Sequence, residues 1–271
     1  MDNKQKIIYD KTLNTDKIQK KEGGYVTAIN HDTGEVIWKQ LPNKIMVAGS
    51  AFAAAKIWNI TPDVLTTTYN NYLNLDNTVN EPFIGEGVRP EEEVFLFCVG
   101  IDGCGNEASQ VFDVDPSKWI DRDHLIPFRY QNINNDLGDE LRDKYFGKKT
   151  SNDKIAYYFK TFDSYPVFKQ QYTDGTPIKS NLYDVERRDE IESYVELKMS
   201  ISKDDMRDYF ISNVGIKQAK INSISLCTAW KKTIDNYTYY QDIRPYTKYN
   251  FPNEHLIDVS KSIDFIYQIY Y

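Results

Sequence analysis

Three histidines are the side chains in this sequence best suited to acid–base catalysis near neutral pH. His31, His124 and His255 lie far apart in the chain, and the residues around each are typical of loops. Members of a catalytic triad need not be close in sequence, so a hydrolase site could still assemble from them. However, the chain has no G-x-S-x-G nucleophile elbow, because Gly49-Ser50 lacks the second glycine. The sequence therefore predicts no catalytic residue and favours a protein that is not an enzyme.

Three cysteines, Cys98, Cys104 and Cys227, are the other residues that could bind a metal. A zinc site needs two Cys pairs, or a Cys pair with a His pair, at spacings of about two to four residues. Only Cys98 and Cys104 are close, and five residues separate them. An odd, low count does not indicate a disulfide framework either. We expect Cys98 to be a small buried apolar residue and Cys104 to pack within a turn. The sequence predicts no metal site and no cofactor.

Four aspartates form the best candidate for a cation site: Asp113, Asp115, Asp121 and Asp123. Calcium prefers several carboxylate oxygens, but this segment lacks the glycine and the terminal glutamate of a calcium-binding loop. Nearby basic side chains could offset the negative charge instead. A pair of glycosidase carboxylates is a further alternative, although 40 acidic residues supply so many pairs that their number indicates nothing. The sequence leaves both alternatives open.

The segment Gly100–Gly105 carries three glycines directly after an apolar strand, as a phosphate-binding loop would. Their order does not match G-x-G-x-x-G, no Lys-Ser or Lys-Thr pair follows, and the next segment looks like a strand rather than a helix. We therefore predict a hairpin loop in which these glycines supply positive φ angles.

Alternation of apolar and polar residues predicts that strands dominate the chain. The predicted strands are Tyr25–Ile29, Glu35–Lys39, Lys44–Ala48, Val94–Val99, Ser109–Val114, Ile155–Phe159, Val167–Tyr172, Ser193–Ile201, Ile221–Trp230, Tyr237–Tyr240 and Ile263–Tyr271. The predicted helices are Ala51–Trp58, capped by Gly49-Ser50, and Lys203–Ile211, with a helical turn near Tyr69–Leu73 and a charged helical stretch within Leu137–Phe146. The expected fold class is mainly β, a β-sandwich or mixed β architecture with two or three short helices and long loops.

The chain divides into two parts of different composition. Residues 1–23 are rich in Lys, Asp and Asn, and we expect them to form a flexible N-terminal arm. Residues 24–271 are expected to form a single β-rich domain, with an internal boundary to be considered near 117–150. The C-terminal strand is too apolar to be a loose tail, so it should pair within the domain or with a neighbour.

The amino-acid composition argues for some classes of binding partner and against others. The formal net charge of −7 over 271 residues argues against nucleic acid as the main partner. The 21 tyrosines and 13 phenylalanines suit sheet surfaces and protein interfaces. The segment Met1–Lys11 is polar, unlike a secretory signal, and no apolar run is long enough to cross a membrane. We expect synthesis in a reducing cytoplasm and no membrane partner.

Five peptide strings carry a family resemblance: Val94–Asn106, Pro127–Gln131, Arg142–Gly147, Tyr239–Asn250 and Phe265–Tyr271. Together they resemble virion structural proteins of large tailed bacteriophages, over most of residues 35–271. The bias toward Asn, Lys, Ile and Tyr fits an AT-rich phage genome. None of the strings is a functional motif, so the resemblance carries over no catalytic residue. It implies a tail, baseplate or neck component that is repeated around an axis.

These observations favour a non-enzymatic structural subunit of a tailed-phage virion. Its expected partners are other copies of itself and other virion proteins, and its expected location is the virion after synthesis in the host cytoplasm. A β-rich carbohydrate- or receptor-binding module is the alternative, and a glycan hydrolase is a minor third. Tyrosine-rich strand edges suit the first two equally, whereas the lysine-rich arm and the C-terminal strand favour assembly.

Overall fold

A computed structural model of the chain describes residues 23–60, 62, 68–76, 88, 91–105, 110–116, 124–178, 190–234, 237–256 and 262–271. The predicted N-terminal arm lies outside the described residues, except for Gly23, which already belongs to the first strand. Most of residues 61–93 also lie outside them.

Strands dominate the described residues, which confirms the predicted mainly β fold class. The strands are β1 Gly23–Asn30, β2 Val36–Pro42, β3 Lys44–Ile45, β4 Glu93–Gly100, β5 Leu125–Ile126, β6 Arg129–Asn132, β7 Tyr145–Ser151, β8 Lys154–Thr161, β9 Val167–Tyr172, β10 Ile191–Ile201, β11 Lys220–Ile234, β12 Tyr237–His255 and β13 Ile263–Tyr270. The helices are α1 Val47–Trp58, α2 Tyr69–Leu73, α3 Asp139–Arg142 and α4 Arg207–Asn213, and a 3-10 turn covers Ile216–Gln218.

The first sheet has five strands in the order β2-β1-β13-β10-β9, and all neighbours are antiparallel. β13 is the central strand, and Phe265 lies opposite both Ala28 of β1 and Met199 of β10. The side chains of Ile263, Phe265 and Tyr267 are buried on one face, as their period-2 spacing requires. The prediction that the C-terminal strand is integral to the fold is confirmed.

The second sheet has the order β3-β12-β11-β4-β8-β6, with β5 also pairing with β4 and β7 with β8. β4 and β8 pair only at Leu96–Phe97 and then diverge. Residues 125–132 lie between the two diverging strands. β5 pairs with the end of β4, Pro127 and Phe128 connect β5 to β6, and β6 pairs with the start of β8. Residues 124–150 are therefore joined to both strands by backbone pairing.

The main core lies between the two sheets and follows from strand alternation. In β4, Phe97 and Val99 point into this core together with Ile224 and Leu226 of β11 and Phe265 of β13. The alternate residues of β4 point to the opposite face, where a second apolar cluster covers the sheet. Because both faces of β4 are buried, the segment reads as an unbroken apolar run rather than an alternating one.

Helices α1 and α2 cover the outer face of the second sheet. Phe52 of α1 packs against Tyr246 of β12, with ring centroids 5.7 Å apart, and Tyr69 of α2 packs against Phe159 of β8 at 5.4 Å. A Cβ at Gly49 would lie 2.1 Å from the carbonyl oxygen of Tyr246, so glycine permits this close helix–strand contact. The outer helices thereby form a third layer.

Three local predictions were wrong in their boundaries. The predicted strand Lys44–Ala48 is only β3, because the buried Met46 donates its N–H to Tyr246 O and α1 begins at Val47. Gly49-Ser50 thus lies inside α1 and does not cap it. Among residues 110–116, the predicted strand Ser109–Val114 forms only one bridge, from Val111 to Cys104.

The fourth helix also starts later than predicted. Asp205 was expected to complete a capping box with Ser202, and its carboxylate does accept the Ser202 N–H at 2.8 Å. However, Met206 has a φ of 64°, so the helix begins only at Arg207. It ends at Asn213, two residues beyond the predicted end, and is followed by Gly215, whose φ is 92° and whose N–H donates to Phe210 O.

A buried carboxylate ties the central strand of the first sheet to its neighbours. Asp264 lies 2.7 Å from Lys198 Nζ, 2.6 Å from Ser200 Oγ and 2.9 Å from His31 Nδ1. Burial alone would raise the pKa of this carboxyl, but the hydrogen bonds from Lys198, Ser200 and His31 outweigh it and lower the pKa. The contacts therefore favour the ionised form in the folded state.

This arrangement predicts a pH-dependent contribution to stability. A carboxyl with a lower pKa when folded stabilises the fold fully above its unfolded pKa of about 3.9, and the contribution is lost as pH falls through the folded pKa. Asp264→Asn should thus reduce the free energy of unfolding most above about pH 5, with the deficit shrinking below about pH 4. Urea unfolding across this range measures it, with the exposed Asp32→Asn as control. A deficit that is equal at every pH would contradict the prediction.

Candidate functional site

A cleft of about 280 Å³ opens where four separate chain segments meet. Its walls come from the residues after α2, the segment between β6 and α3, strand β7, and the first residues of β12. These segments lie far apart in the sequence and are brought together by the second sheet. The cleft is a candidate binding site because it combines aromatic rings with carboxylate, amide and hydroxyl groups.

The floor of the cleft is apolar and tightly packed. Phe146 of β7 meets Tyr240 of β12 edge to face, with ring centroids 4.5 Å apart and planes at 87°. The next residue, Gly147, has a φ of 67°, and a Cβ there would lie 2.3 Å from Phe159 Cδ2. Both the backbone conformation and the available space therefore require glycine at this position.

Asp136 organises one wall. Its carboxylate accepts the Tyr157 hydroxyl at 2.6 Å, the Lys148 ammonium at 2.9 Å and the Leu137 N–H at 2.7 Å. Burial would raise the pKa of Asp136, but the bonds from Tyr157, Lys148 and Leu137 outweigh it and lower the pKa. Conversely, burial and the Asp136 charge raise the pKa of Tyr157 well above its usual range. At neutral pH, Asp136 is ionised and Tyr157 is a hydroxyl donor.

Asp76 organises the facing wall in a similar way. Its carboxylate accepts both the N–H of Thr150 at 3.0 Å and the hydroxyl of Thr150 at 2.5 Å. Its own N–H donates to Lys148 O at 2.8 Å, which fastens the loop after α2 to β7. The carboxylates of Asp76 and Asp136 thus both accept hydrogen bonds from donors within the protein.

The start of β12 presents a different kind of surface. Four consecutive residues, 238–241, line the cleft. Burial, followed by the charges of Glu93 and Asp143, raises the pKa of Tyr240 to about 12, so its hydroxyl stays protonated. In the described part of the chain, the side chains of Thr238, Tyr239 and Gln241 make no hydrogen bond.

Two buried ion pairs near the sheets serve the fold rather than a site. The carboxylate of Asp205 accepts from Lys160 Nζ at 2.8 Å and from the Tyr145 hydroxyl at 2.7 Å, with Arg129 at 3.6 Å. Arg244 and Glu92 pair at 2.5 Å with both side chains fully buried. None of these charged side chains lines the cleft, and each pair joins separate elements of the fold.

The three histidines lie on different elements. His31 contacts Asp264, His124 Nδ1 lies 3.9 Å from Asp102 Oδ2, and His255 ends β12. Cys98 is fully buried as expected, with its sulfur 3.8 Å from that of Cys227, and Cys104 is buried in its turn. Among the described residues, no group of three or more His, Cys, Asp or Glu side chains is placed to hold a metal.

The aspartate cluster is only partly described. Asp113 and Asp115 are exposed, whereas Asp121 and Asp123 lie outside the described residues, so the cation site at these four positions stays a hypothesis.

In the segment Gly100–Gly105, glycine is needed for a different reason from the one predicted. None of its three glycines has a positive φ. Instead, a Cβ at Gly103 would lie 2.3 Å from the carbonyl oxygen of Asn222, whose buried side chain also accepts the Gly103 N–H at 2.7 Å. Close packing, not an unusual φ, requires glycine here.

An exposed apolar surface lies at the outer edge of the first sheet. We call it the edge patch, and it consists of Tyr165, Val167 and Phe168, which are 87%, 50% and 60% exposed. Ile57 and Trp58 at the end of α1 are each 72% exposed and form a second, smaller apolar surface. Val167 and Phe168 are consecutive in β9, so they expose apolar surface on both faces of this edge strand. Exposed apolar surface of this kind can mark a protein contact.

Comparison with known proteins found no match, so a functional argument has to start from the geometry of the structure. No family model, no curated protein and no solved structure matches the chain. Within the part of the chain that the structure describes, no helix is both long and apolar enough to cross a membrane. The resemblance to virion proteins therefore rests on the five peptide strings.

Proposed function

We propose that the chain is a non-enzymatic structural subunit of a tailed-bacteriophage virion, in the tail, baseplate or neck ring. It acts through contacts with further copies of itself and with other virion proteins. The observation that carries the proposal is the edge patch, where Val167 and Phe168 in the outermost strand of the first sheet, and Tyr165 just before it, expose large apolar side chains. An isolated, soluble enzyme gains nothing from such a surface, whereas a subunit buries it on assembly.

The backbone at the edge patch is oriented for pairing. Thr173 N–H donates to Glu190 O, so in this antiparallel pair the alternate residues Phe168, Gln170 and Tyr172 direct their N–H and C=O groups away from β10. Tyr172 and Gln170 are bonded by the turn at 176–178. Among the described residues, Phe168 pairs with Val195 of β10, and no strand pairs with it on the side away from β10. A strand of a neighbour added here would gain backbone hydrogen bonds and cover the apolar side chains together.

The location of the family-like strings supports the same proposal. Val94–Asn106 contains all of β4 except its first residue, Tyr239–Asn250 lies within β12, and Phe265–Tyr271 contains the last six residues of β13. These are buried strands of the two sheets, so the resemblance concerns the residues that build the fold. That pattern is expected where a shared architecture, rather than a shared catalytic site, is what the proteins have in common.

The proposal predicts that one charge at the edge patch blocks assembly. Phe168→Asp should lower the amount of the chain in purified particles at least tenfold, because a carboxylate would be buried without a partner. Ile211→Asp is the matched control, since Ile211 is 54% exposed on α4 and away from the first sheet's edge. Mass spectrometry of particles from phage carrying each variant measures incorporation.

Both outcomes of this experiment are informative. Equal incorporation of Phe168→Asp and Ile211→Asp would exclude the edge patch as the assembly surface. Absence of the wild-type chain from purified particles would overturn the virion function itself. Sedimentation of the purified protein over a range of concentrations would show whether copies associate without other virion proteins.

A further inference from the structure

We infer that the cleft between β7 and the start of β12 binds a neutral saccharide ring without cleaving it. This inference is independent of the proposed assembly function, because the cleft lies on the second sheet and the edge patch on the first. It would give a structural subunit, or any other protein with this fold, the ability to hold a surface glycan.

The charges of the cleft favour a neutral ligand. Its ionised side chains are three aspartates and two bases, Asp76, Asp136, Asp143, Arg142 and Lys148, so the charges nearly cancel. The oxygens of Asp76 and Asp136 already accept bonds from Thr150, Tyr157, Lys148 and Leu137. A metal ion would have to displace these donors, and an anion would face a surplus of carboxylates.

The polar groups left open match the hydroxyls of a sugar. In the described chain, Thr238, Tyr239 and Gln241 have no hydrogen-bond partner for their side chains, and the Asn70 amide nitrogen also has none. Hydroxyl and amide groups both donate and accept, as sugar hydroxyls do. Four such groups around one cleft can bind several hydroxyls of a single ring.

An aromatic ring is available beside these groups. The Tyr240 ring already packs against Phe95 and Phe146. Tyr239 is half-exposed and contacts no other ring among the described residues, so its face is free to pack on the C–H face of a pyranose. A ring face next to open hydrogen-bonding groups suits a saccharide better than a purely apolar or purely charged ligand.

The size and rigidity of the cleft agree with a small ligand. A volume of about 280 Å³ is at the lower end for binding pockets, which indicates one sugar ring rather than a long oligosaccharide. Gly147, the Asp136 bonds and the Asp76 bonds fix the walls before any ligand arrives, and this lowers the entropy cost of binding.

The carboxylates of the cleft do not suit glycoside cleavage. Cleavage needs one carboxyl that is still protonated near neutral pH, so that it can donate to the leaving oxygen. The pKa of Asp136 is lowered instead, because bonds from Tyr157 and Lys148 outweigh its burial. Asp136 therefore acts as a fixed acceptor, and the oxygens of Asp76 are likewise occupied by the N–H and the hydroxyl of Thr150. Because protein donors hold two of the three carboxylates that line the cleft, the expected activity is binding alone.

Ligand-observed NMR tests this inference with methyl α-glucopyranoside, methyl β-galactopyranoside and N-acetylglucosamine as probes. At least one should bind with a Kd of roughly 1 mM, and Tyr239→Ala should weaken it at least tenfold, because the ring face and a hydroxyl are both lost. Gln241→Ala provides a second, smaller truncation. Tyr72→Ala is the matched control, since Tyr72 is an exposed tyrosine of α2 that does not line the cleft.

The outcomes separate this inference from the proposed function. Failure of all three probes to bind, or equal affinity of Tyr239→Ala and the wild type, would overturn the saccharide site. Stronger binding of inorganic phosphate or butylammonium at the same residues would show a charged ligand and overturn it as well. Repeating the titration with Phe168→Asp should leave the affinity unchanged, since that variant changes only the edge patch.

Discussion

Deletion of residues 263–271 is expected to leave no soluble, folded protein. β13 pairs along its whole length with β1 on one edge and with β10 on the other. Its removal would divide the first sheet into two unconnected parts and strip the main core of Ile263, Phe265 and Tyr267, which are nearly fully buried. Soluble expression, measured with circular dichroism of any soluble fraction, provides the test.

A single substitution in β13 tests the same prediction through the free energy of unfolding. Phe265→Ala should reduce the free energy of unfolding by about 3–5 kcal/mol, the usual loss for a buried phenylalanine. Tyr271→Ala is the control, because Tyr271 is 76% exposed just beyond β13, and its effect should stay within about 0.5 kcal/mol. A truncated chain that stayed soluble and melted at the wild-type temperature would show that the first sheet does not depend on β13.

Asp205→Ala is expected to cost about 3–5 kcal/mol of the free energy of unfolding. The Asp205 carboxylate is fully buried and balances Lys160, which is 8% exposed, and Arg129, which is 15% exposed. Lys160 also donates to Ser200 O, so the ion pair connects β8 of the second sheet to β10 of the first. Without Asp205, two buried cations lose their counter-charge, and this loss dominates the effect.

The adjacent residue supplies a matched control for this prediction. Asp204 has an exposed side chain and contributes only its carbonyl oxygen, to Arg129, so Asp204→Ala should change stability by less than about 0.5 kcal/mol. Adding Lys160→Met to Asp205→Ala should recover part of the loss, since one uncompensated cation is then removed. Urea unfolding of the three variants measures both effects. A loss below about 1 kcal/mol for Asp205→Ala would show that the cluster is effectively solvated.

Strands with regular alternation could be predicted from the sequence, and irregular ones could not. Ser193–Ile201, whose apolar and polar residues alternate, lies wholly within β10. The shorter Val167–Tyr172 does not alternate, yet it was predicted with both boundaries correct. β12 was predicted only at Tyr237–Tyr240, although it continues to His255. Its middle contains proline and charged residues, and Asp242 has a φ of 52° at a shift in register. These residues form a strand by pairing with β11, and Glu92, far away in sequence, neutralises the buried Arg244 among them.

The cleft could not have been predicted from local sequence. Asp76 and Asp136 lie in Asn- and Asp-rich segments, where aspartate is common in turns and indicates no ligand. Tyr239 and Gln241 belong to a strand whose side chains alternate like those of any other. What brings these residues together is the pairing of β7 with β8 and the contact of Phe146 in β7 with Tyr240 in β12. No motif encodes this arrangement, because it depends on pairing between segments that are distant in sequence.

The position of β13 has a consequence for the order in which the fold can form. Gly23 in the first strand pairs with Tyr270, so β1 cannot meet its partner until nearly the whole intervening chain has been synthesised. At about 5–20 residues per second, ribosomes take tens of seconds to make such a length. During that time β1 has only β2 for a partner, and its other edge is open to pairing with a second nascent chain. Mispairing of this protein is therefore expected first where growing chains are concentrated, as on a polysome.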